Sequence, residues 1–598
     1  MSTRQNAVGA ADGPSDDTSG SSAPASRTPA GSDLVRPDPP SQGRKRRTLQ
    51  RLIPDTTSPT YRALAGLRRL GDQMGKGWDR TISYQSSKRP PLPDPTEDDP
   101  RQLVQVRYEG RPITAEVVTQ ANGLDQHRAA VATVCAAAES GAVQIFGYQQ
   151  SSTRVRIAVL HSDLPQLMTA LIAYAAAPGP PISLGVLKNG GLRRLCDIQD
   201  FPEGGLARAR TLVLGLPVVD PEQHLVLGIT ESVEIEVWSG EPDQTWTAPK
   251  PNRWCETLPP IARTPAQIPF GDVQVPSFES LAGPAVEDVL FPVDAVLTWV
   301  DDSDREWRKR HAEFAGSNRD WGTDAARFRN LDELRYSLRS LRMYTPWIRK
   351  IFVVTDGQSP SWLADSDQVE IVDHREIFPD PTMLPVFNSH AIESRLHHIP
   401  DLSEAYLYLN DDFFIGRELP PEAFFTPAGQ AHFFRTTLPI GVGPAVSGAG
   451  FRSLAARNDR ALLRQAVGRI QTSKLPHVPI PQLRSVALHL EQQFPEAYQR
   501  TSLAKFRSAS DISPISLQSW YGYATGSFVA SELSDRYFDL LTDDLGRRLR
   551  YLERHRHVDA FCLNMGETVD LRSEQNIAAV APFLRAYYPF SAPWETST

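Results

Sequence analysis

The sequence predicts an α/β protein whose second half contains a largely parallel sheet. Three apolar runs in this half are typical of buried strands, which are rich in β-branched and aromatic residues. Each run ends in acidic or amide residues, and parallel sheets gather such strand ends at one edge. The runs are residues 294–300 (DAVLTWV, before DDSD), 350–355 (KIFVVT, before DGQSP) and 405–409 (AYLYL, before NDD). We therefore predict a Rossmann-like domain with a polar crevice at the carboxyl ends of its strands.

Two helices are predicted between these strands. Residues 331–344 place three leucines on one face, as in a helix that packs on a sheet. Residues 389–399 place His390, Glu393 and His397 at i, i+3 and i+7, hence on one face. This second pattern is open to two interpretations. The three side chains bind a metal or orient a substrate, or they form an exposed polar stripe without a function.

The region before this half predicts an α+β accessory domain. Residues 101–255 alternate strand-like runs, such as 224–229, with helix-like runs, such as 125–140. No cluster of carboxylate, histidine or cysteine in this region indicates a chemical site. Residues 256–288 are polar and rich in proline, which predicts a linker or a segment that wraps around the folded body.

The first 100 residues predict a mostly disordered arm. They are rich in Ser, Pro, Gly and Asp and contain few periodic apolar residues, so they cannot bury enough surface to offset the entropy of ordering. Within the arm, residues 43–52 and 61–80 combine basic residues with apolar residues at helix-like spacing. Two interpretations remain open for this basic segment: contact with an anionic membrane surface, or a short helix that packs on the folded body.

The composition excludes several classes of protein. A content of 40% hydrophobic and 22% charged residues is that of a globular chain, and no run reaches the roughly 18 apolar residues of a membrane-spanning helix. The N-terminus lacks the basic start and apolar core of a secretion signal, so we expect a cytoplasmic protein, with membrane association left open. Four cysteines without C-x-x-C spacing argue against a disulfide framework or zinc knuckle. A net charge of −8 argues against general nucleic-acid binding.

Several polar residues of the second half suit phosphate chemistry. Asp411 and Asp412 follow the third strand and offer oxygen ligands to Mg²⁺ or Mn²⁺, although an Asp-Asp pair also occurs as an ordinary cap or turn. His477, in SKLPHVPIP, carries the group expected of a general base. Arg507, in TSLAKFRSASD, can bind phosphate oxygens with its planar fork. Taken singly, each residue also fits an ordinary structural or surface role.

Four longer strings resemble successive conserved regions of the Stealth proteins, a family of sugar-phosphate transferases. They are DAVLTWVDDSDREW, RFRNLDELRYSLRSLRMYTPWIRKIFVVTDGQSPSWL, FNSHAIESRLHHIPDLSEAYLYLNDDFFIG, and LPHVP followed by FPEAYQRTSLAKFRSASD. The resemblance implies a nucleotide-sugar transferase-type catalytic domain over residues 289–598. Such an enzyme moves a sugar 1-phosphate from a nucleotide-diphosphate sugar to a polysaccharide or glycan acceptor, in capsule or exopolysaccharide synthesis, with Mg²⁺ (or Mn²⁺) as cofactor.

The resemblance also assigns roles to individual residues of this sequence. The family's catalytic residues fall on Glu393, Asp412, His477 and Arg507. Its donor-binding regions include Asp301, Asp304, Arg335, Asn388 and His390. Its metal-binding carboxylates fall on Asp411 and Asp412. With these roles, we expect His477 to take the proton of the acceptor hydroxyl as that hydroxyl attacks phosphorus.

One position departs from the family pattern. Family members commonly carry Cys-(Leu/Ile)-Asn-Asp near the C-terminus, whereas FCLNMGE has Met565 at the acidic position. A thioether cannot replace a carboxylate as a ligand for a hard cation, although Glu567 is near enough in sequence to compensate. Two alternatives to phosphotransfer stay open: a non-catalytic scaffold for polysaccharide assembly, which the missing acidic residue favours, and a glycosyltransferase that releases a nucleoside diphosphate, which would use the same nucleotide-binding architecture and Asp-rich motif.

Overall fold

The computed structural model describes most of the chain beyond the N-terminal arm. It covers residues 101–206, 209–315, 331–442, 451–564 and 571–596, without the side chains of residues 203, 451–452 and 571–575. The arm predicted to be disordered (1–100), together with Met565 and Glu567, lies outside the described residues. All described residues belong to one structural unit.

The first described region is an α+β arrangement of two sheets and two helices. Its strands are β1 (Leu103–Tyr108), β2 (Arg111–Val117), β3 (Ile145–Ser151), β4 (Arg154–Leu160), β5 (Ser183–Lys188), β6 (Gly191–Asp197), β7 (Thr211–Gly215), β8 (Val218–Val219), β9 (Val226–Leu227) and β10 (Val233–Trp238). Its helices are α1 (Gly123–Ser140) and α2 (Leu164–Ala176). One sheet has the order β1-β2-β8-β9, and the other has the order β3-β4-β10-β7-β5-β6.

The strand predicted at 224–229 is wrong in length, because only Val226–Leu227 pairs with another strand. The carboxylate of Asp220 accepts hydrogen bonds from the backbone N–H groups of His224 at 2.7 Å and Leu225 at 2.9 Å. An Asp side chain that binds nearby backbone groups holds the chain in a turn, which removes those groups from a strand ladder.

Two hairpins follow. They are β11 (Trp246–Thr247) with β12 (Thr257–Leu258), and β13 (Pro265–Phe270) with β14 (Val273–Phe278). The second hairpin lies in the stretch interpreted as a linker or a wrapping segment. Its residues Ile268, Phe270 and Val275 are buried in one apolar core with α1 and the six-stranded sheet. This part of the stretch therefore packs on the accessory region, and the predicted domain boundaries themselves remain a prediction.

The second half of the chain supplies the remaining strands and helices. Its strands are β15 (Val293–Thr298), β16 (Ile351–Thr355), β17 (Val369–Asp373), β18 (Ala405–Asn410), β19 (Phe413–Ile415), β20 (Ala431–Phe434), β21 (Ile480–Leu483), β22 (Phe528–Ser531), β23 (Asp535–Asp539) and β24 (Ala560–Asn564). Its helices are α3 (Arg305–Ala315), α4 (Glu333–Tyr344), α5 (His374–Ile377), α6 (Ser389–Glu393), α7 (Phe451–Val467), α8 (Arg484–Gln493), α9 (Pro495–Ser502), α10 (Pro514–Thr525), α11 (Leu545–His555) and α12 (Leu571–Tyr587).

The central sheet has the order β17-β16-β15-β18-β21, which confirms the predicted α/β class. The first four strands of this order run parallel, and β21 pairs antiparallel with β18 at the edge. The chain builds β16 and β17 on one side of β15 and then crosses to place β18 on the other side. Strand order therefore reverses between β15 and β18, and open α/β sheets bind ligands at the carboxyl ends of the two strands that flank such a reversal.

The predicted helix at 331–344 is confirmed as α4, whose Leu334, Leu338 and Leu341 are buried in the main core. The predicted helix at 389–399 is wrong in its second half, because α6 ends at Glu393 and only a short 3-10 turn follows at 396–398. Pro400 ends the 3-10 turn, since a residue before proline avoids helical backbone angles, and Ile399 has a ψ of 125°. It lies seven residues after Glu393 and does not set the end of α6.

Two smaller sheets complete the second half, namely β19-β24-β23 and β20-β22. The first of these places β24 beside the segment that follows β18. No helix within the described ranges is both long enough and apolar enough to cross a lipid bilayer.

Candidate active site

The end of β18 is the centre of the candidate site. Residues Tyr406 to Leu409 are buried in the main core, and the chain emerges from it at Asn410. The register pairs Thr298, the last residue of β15, with Asn410, and Thr298 Oγ1 lies 3.4 Å from Asn410 Oδ1. Asp411 and Asp412 follow directly, so the two predicted carboxylates lie where the strand order reverses.

Helix α4 and strand β24 hold this segment in place. Ser337 Oγ donates to the carbonyl of Phe413 at 2.8 Å, which ties α4 to the first residue after the Asp pair. From β24, the backbone N–H of Leu563 donates to the carbonyl of Asp412 at 3.1 Å. The side chain of Asn564 donates to Asp412 Oδ2 at 3.1 Å, and Cys562 Sγ lies 3.4 Å from the same oxygen.

His477 lies beside strand β24. Its Nδ1 is 4.0 Å from Cys562 Sγ, and its ring packs on Phe413 at 5.9 Å and on Tyr537 at 5.0 Å between centroids. The hydroxyl of Tyr537 donates to Asn564 Oδ1 at 3.0 Å. Strands β19, β23 and β24 therefore bring His477 and Asp412 together, although 65 positions of sequence separate the two residues.

Glu393 lies next to Tyr408, two residues before the end of β18. The hydroxyl of Tyr408 lies 2.7 Å from Asn410 Oδ1 and 3.2 Å from Glu393 Oε1. Burial raises the pKa of the Tyr408 phenol well above its usual value, and the negative charge of Glu393 raises it further. The phenol therefore stays protonated, and the oxygens of both Asn410 and Glu393 lie within hydrogen-bond distance of it.

Arg507 is placed near Glu393 by α6. Its Nη2 donates to Ser389 Oγ at 2.8 Å, at the start of the short helix that ends in Glu393. Its positive charge also acts on Tyr408, where it opposes the rise in pKa. Glu393 thus contacts Tyr408 and Arg507 acts on the same phenol electrostatically, while Asp412 and His477 both approach Cys562 of β24.

Asn388 and His390 are buried and both contact Asp511, in the loop that follows Arg507. Asn388 Nδ2 donates to Asp511 Oδ2 at 2.9 Å, and His390 Nδ1 lies 3.6 Å from the same oxygen. Asp511 also accepts from the backbone N–H of Ser508 at 2.8 Å. These contacts hold the loop that carries Arg507 against α6. The donor-binding role of Asn388 and His390 stays a prediction.

The remaining donor-binding candidates have clear structural contacts. Asp304 caps α3, since its Oδ1 accepts from the backbone N–H of Glu306 at 2.9 Å, and a hydrogen bond from Gln358 lowers its pKa. The same Gln358 bonds the backbone N–H and carbonyl of Asp301 at 2.9 and 2.8 Å. Arg335 pairs with an aspartate of its own helix start at 3.2 Å and lies over an indole ring.

Glu333 joins the acidic group and was missed by the sequence prediction. Burial raises the pKa of Glu333, and the charge of Asp412 adds to the rise. Burial likewise raises the pKa of Asp411 well above its usual range, with further contributions from Asp412 and Glu333. The negative charges of Glu333, Asp411 and Asp412 therefore repel one another. A bound divalent cation would offset this repulsion. The sequence signal was the acidic pair Asp332–Glu333 at the start of α4.

The oxygen donors at the strand end fit a hard cation such as Mg²⁺. A different group, His397, His398 and Glu491, has its ligand atoms within 4.8 Å of one another, and within the described ranges it is the one group of three that does. The Nε2 atoms of His397 and His398 are within hydrogen-bond distance of Glu491 Oε2, at 2.7 and 2.8 Å. Arg395 binds the other oxygen of this carboxylate. This group is a network of hydrogen bonds around the Glu491 carboxylate. Because His397 points to Glu491 and lies outside α6, it does not share a helix face with His390 and Glu393.

Comparison with known families gives three matches along the second half of the chain. Models of the Stealth proteins match conserved region 1 to residues 291–319, conserved region 2 to 327–433 and conserved region 3 to 476–523. The first two include Asp301, Asp304 and the residues of β18, and the third includes His477 and Arg507.

Several curated relatives are similar over longer stretches. The exopolysaccharide phosphotransferase SCO6023 of Streptomyces coelicolor is 38% identical over 482 residues, which cover 77% of this chain and 81% of that protein. The exopolysaccharide phosphotransferase CpsY of Mycobacterium tuberculosis is 41% identical over 347 residues, or 57% of this chain and 65% of that protein. A third, SCO2592 of Streptomyces coelicolor, is 42% identical over 396 residues, but the chain spans only 41% of its length.

Solved structures are more distant. A galactosyltransferase, LgtC, in complex with donor and acceptor sugar analogues is 11% identical, covers 50% of this chain and 96% of that chain, and has a TM-score of 0.26. A likeness with so low a TM-score supports no inference about this chain.

Proposed function

Because the chain belongs to the Stealth family, we propose that it transfers a sugar 1-phosphate from a nucleotide-diphosphate sugar to a hydroxyl group of a polysaccharide acceptor. The family resemblance in the sequence is confirmed by the region matches and by a relative that the chain covers over four fifths of its length. The relatives named above are exopolysaccharide phosphotransferases, which supports a polymeric sugar acceptor for this chain as well.

The reaction forms one bond and breaks one bond at a single phosphorus atom. The acceptor oxygen bonds to the phosphorus next to the sugar, the bridging oxygen of the pyrophosphate leaves with the nucleoside monophosphate, and a phosphodiester remains. His477 takes the hydroxyl proton as the oxygen attacks. Arg507 binds the phosphate oxygens with its fork and offsets their charge. Glu393, which lies beside Tyr408, accepts hydrogen bonds from the donor.

The carboxylates of Asp411 and Asp412 are proposed to hold the cofactor, and Glu333 is near enough to act on both electrostatically. Their oxygen chemistry and their mutual repulsion both suit Mg²⁺ or Mn²⁺. When bound, the cation supplies positive charge that neutralises the pyrophosphate. In the protein itself, Asn564 and the backbone of β24 fix the orientation of Asp412, so that its carboxylate does not have to reorganise during the reaction.

One observation carries the proposal. Asp412 and His477 both approach Cys562 of β24, at the end of the strand where the sheet order reverses. A carboxylate that suits a cation and an imidazole that suits a base thus lie side by side at the edge where α/β sheets bind nucleotides.

The test is to incubate the purified full chain with a panel of nucleotide-diphosphate sugars, Mg²⁺ and envelope polysaccharide, and to identify the nucleotide released. Nucleoside monophosphate in equal amount to the transferred sugar supports the proposal. Release of nucleoside diphosphate alone would identify a glycosyltransferase instead. The absence of any turnover, with the polysaccharide still bound, would identify a scaffold.

Two variants distinguish chemistry from folding. His477→Ala is expected to lower the rate on the order of 10²- to 10⁴-fold, as for the loss of a general base. His489→Ala is the matched control, because His489 bonds Tyr521 on the surface of another helix and is not part of the site. Equal rates for the two variants would contradict the role of His477.

A further inference from the structure

A cleft lies between the accessory region and the second half of the chain. Its volume is about 260 Å³, near the lower end of the roughly 300–1,000 Å³ of small-molecule sites. The accessory region contributes Gln149 and the turn 152–153 between β3 and β4, and the rest of the lining includes residues 288–291, Trp347 and Pro421. A space of this size suits a group as small as a single sugar ring.

The cleft lies at the opposite end of the central sheet from the candidate active site. Residues 289–291 come just before β15, which begins at Val293, and Trp347 comes just before β16, which begins at Ile351. They therefore lie at the amino ends of two parallel strands, whereas the candidate active site follows the carboxyl end of β18, which runs parallel to β15. Because β15 has 6 residues, its length separates the two places by roughly 20 Å.

Two half-buried aromatic rings, Phe291 and Trp347, line the cleft and are held by contacts with buried residues. Phe291 packs edge-to-face on Phe425 at 6.0 Å between centroids. Trp347 packs on Phe424 at 6.2 Å, and its Nε1 donates to the carbonyl of Leu419 at 2.7 Å. The indole N–H is thus satisfied inside the protein, so the two rings offer apolar surface to the cleft. The face of an aromatic ring carries partial negative charge, which attracts the slightly positive C–H groups of a sugar ring.

The polar groups of the cleft are uncharged or already paired. Gln149 Oε1 is buried and has no hydrogen-bond partner within the described residues, which costs free energy. Rotation of this flexible amide toward a ligand hydroxyl would relieve that cost. Asp288 is already satisfied, because Arg253 donates to its Oδ1 at 2.9 Å and the backbone N–H of Ala285 donates to its Oδ2 at 2.8 Å. None of the described residues that line the cleft is lysine or arginine, so the cleft suits a hydroxyl-rich, uncharged ligand and not a phosphate.

We propose that this cleft binds a neutral sugar unit, whose ring packs on Phe291 and Trp347 and whose hydroxyls bond the amide of Gln149. Apolar and aromatic walls with a few polar side chains are typical of small-molecule sites. That the sugar unit belongs to the acceptor polysaccharide, far along the polymer from the hydroxyl that reacts, rests on the proposed function. A polymer held in the cleft has a raised effective concentration at the active site, whereas a short fragment cannot reach both places.

Affinity electrophoresis tests the binding without any nucleotide. The full chain migrates through native gels that contain increasing amounts of envelope polysaccharide, and its retardation gives a Kd. Gln149→Leu should weaken binding on the order of 10-fold. It should not lower the free energy of unfolding in urea, because the lost oxygen has no partner within the described residues. Gln267→Leu, at an exposed glutamine of β13, is the control and should leave the Kd unchanged.

Kinetics with acceptors of two lengths provide the second readout. In Gln149→Leu, KM for the intact polysaccharide should rise on the order of 10-fold. Its kcat, its KM for the nucleotide sugar and its KM for short oligosaccharides from partial hydrolysis of the polysaccharide should stay unchanged. An equal Kd for wild type and Gln149→Leu, or a KM that rises equally for short and long acceptors, would overturn the proposal. If Gln149→Leu loses polysaccharide binding while the wild-type chain turns over no nucleotide sugar, the proposed function fails and the cleft remains a sugar-binding site.

Discussion

His127, in the accessory region, makes the stability of the protein depend on pH in a direction that the structure specifies. The side chain is only 2% exposed, and both ring nitrogens are bonded: Nδ1 to the carbonyl of Glu231 and Nε2 to the backbone N–H of Val155, each at 3.0 Å. Nε2 must accept this second bond, so the folded state requires a neutral ring. Burial, together with the positive charge of Arg154, lowers the pKa of His127 from 6.5 to about 3.

The size of the effect follows from these two pKa values. Between pH 6.5 and pH 3 the unfolded chain takes up a proton on His127 and the folded chain does not, so the stability from this residue is complete above pH 6.5 and falls as the pH decreases. At pH 5 the difference is about 1.5 pH units, which corresponds to about 2 kcal/mol of unfolding free energy. This figure depends on the unfolded pKa alone, as long as the folded value lies well below 5.

The measurement is urea unfolding of wild type and His127→Gln at about pH 7.5 and about pH 5. The variant loses packing and is less stable at the higher pH, but its free energy of unfolding should decrease by about 2 kcal/mol less than that of wild type between the two values. His161→Gln is the control, because His161 is exposed. If wild type and His127→Gln lose equal stability on acidification, the neutral, doubly bonded His127 is wrong.

Two further predictions concern packing and phosphate binding. In Gly215→Ala the new Cβ would lie 2.1 Å from the carbonyl oxygen of Gly228, so we expect the free energy of unfolding in urea to fall by about 1–3 kcal/mol. Gly204→Ala is the control and should be nearly neutral, because no atom lies within 4 Å of its new Cβ. Equal losses of stability in the two variants would refute the close contact at Gly215. Arg507→Lys keeps the charge but loses the planar fork of the guanidinium, so we expect KM for the nucleotide sugar to rise on the order of 10-fold. Arg500→Lys, at an exposed arginine, is the control and should leave KM unchanged. An unchanged KM in Arg507→Lys would exclude a bidentate phosphate contact.

The sequence predicts the central sheet well because its strands are apolar along their whole length. The runs at β15, β16 and β18 are confirmed, and with them the position of Asp411 and Asp412 at a strand end. A strand buried on both faces has this composition wherever it lies, so no knowledge of its neighbours is needed. The amphipathic pattern of α4 is equally local, and its leucine face is buried as predicted.

Two local predictions fail because a single side chain or ring overrides the hydrophobic pattern. The carboxylate of Asp220 binds three backbone N–H groups and turns the chain where a strand was expected. The helix of α6 ends at Glu393, and Pro400 keeps the following turn at 396–398 from extending into a helix; His397, in that turn, bonds Glu491 and does not lie on the face of His390. In both places, side-chain or ring chemistry decides the backbone conformation.

Only part of the candidate site could be predicted from the sequence, and the reason differs from that for the two failed elements. Resemblance places Asp412 and His477 in one family of conserved strings, but nothing in a local pattern shows that β24 joins them. Cys562 reaches Asp412 across 150 positions, and Asn564 across 152. Contacts of this kind depend on strand pairing between distant segments. Glu333 was missed for the same reason, since its raised pKa arises from burial and from carboxylates that another part of the chain supplies.

The fate of the phosphorus atom next to the sugar tests the central claim most directly. A nucleotide-diphosphate sugar labelled with ³²P at that position is given to the wild-type chain and to His477→Ala, with polysaccharide acceptor and Mg²⁺. If the site works as proposed, the label moves to the polysaccharide and resists phosphomonoesterase, as a phosphodiester must, and the transfer is nearly lost in the variant. If the label stays with the nucleotide while the sugar moves, the bond that breaks is the one between sugar and oxygen, and the account is contradicted.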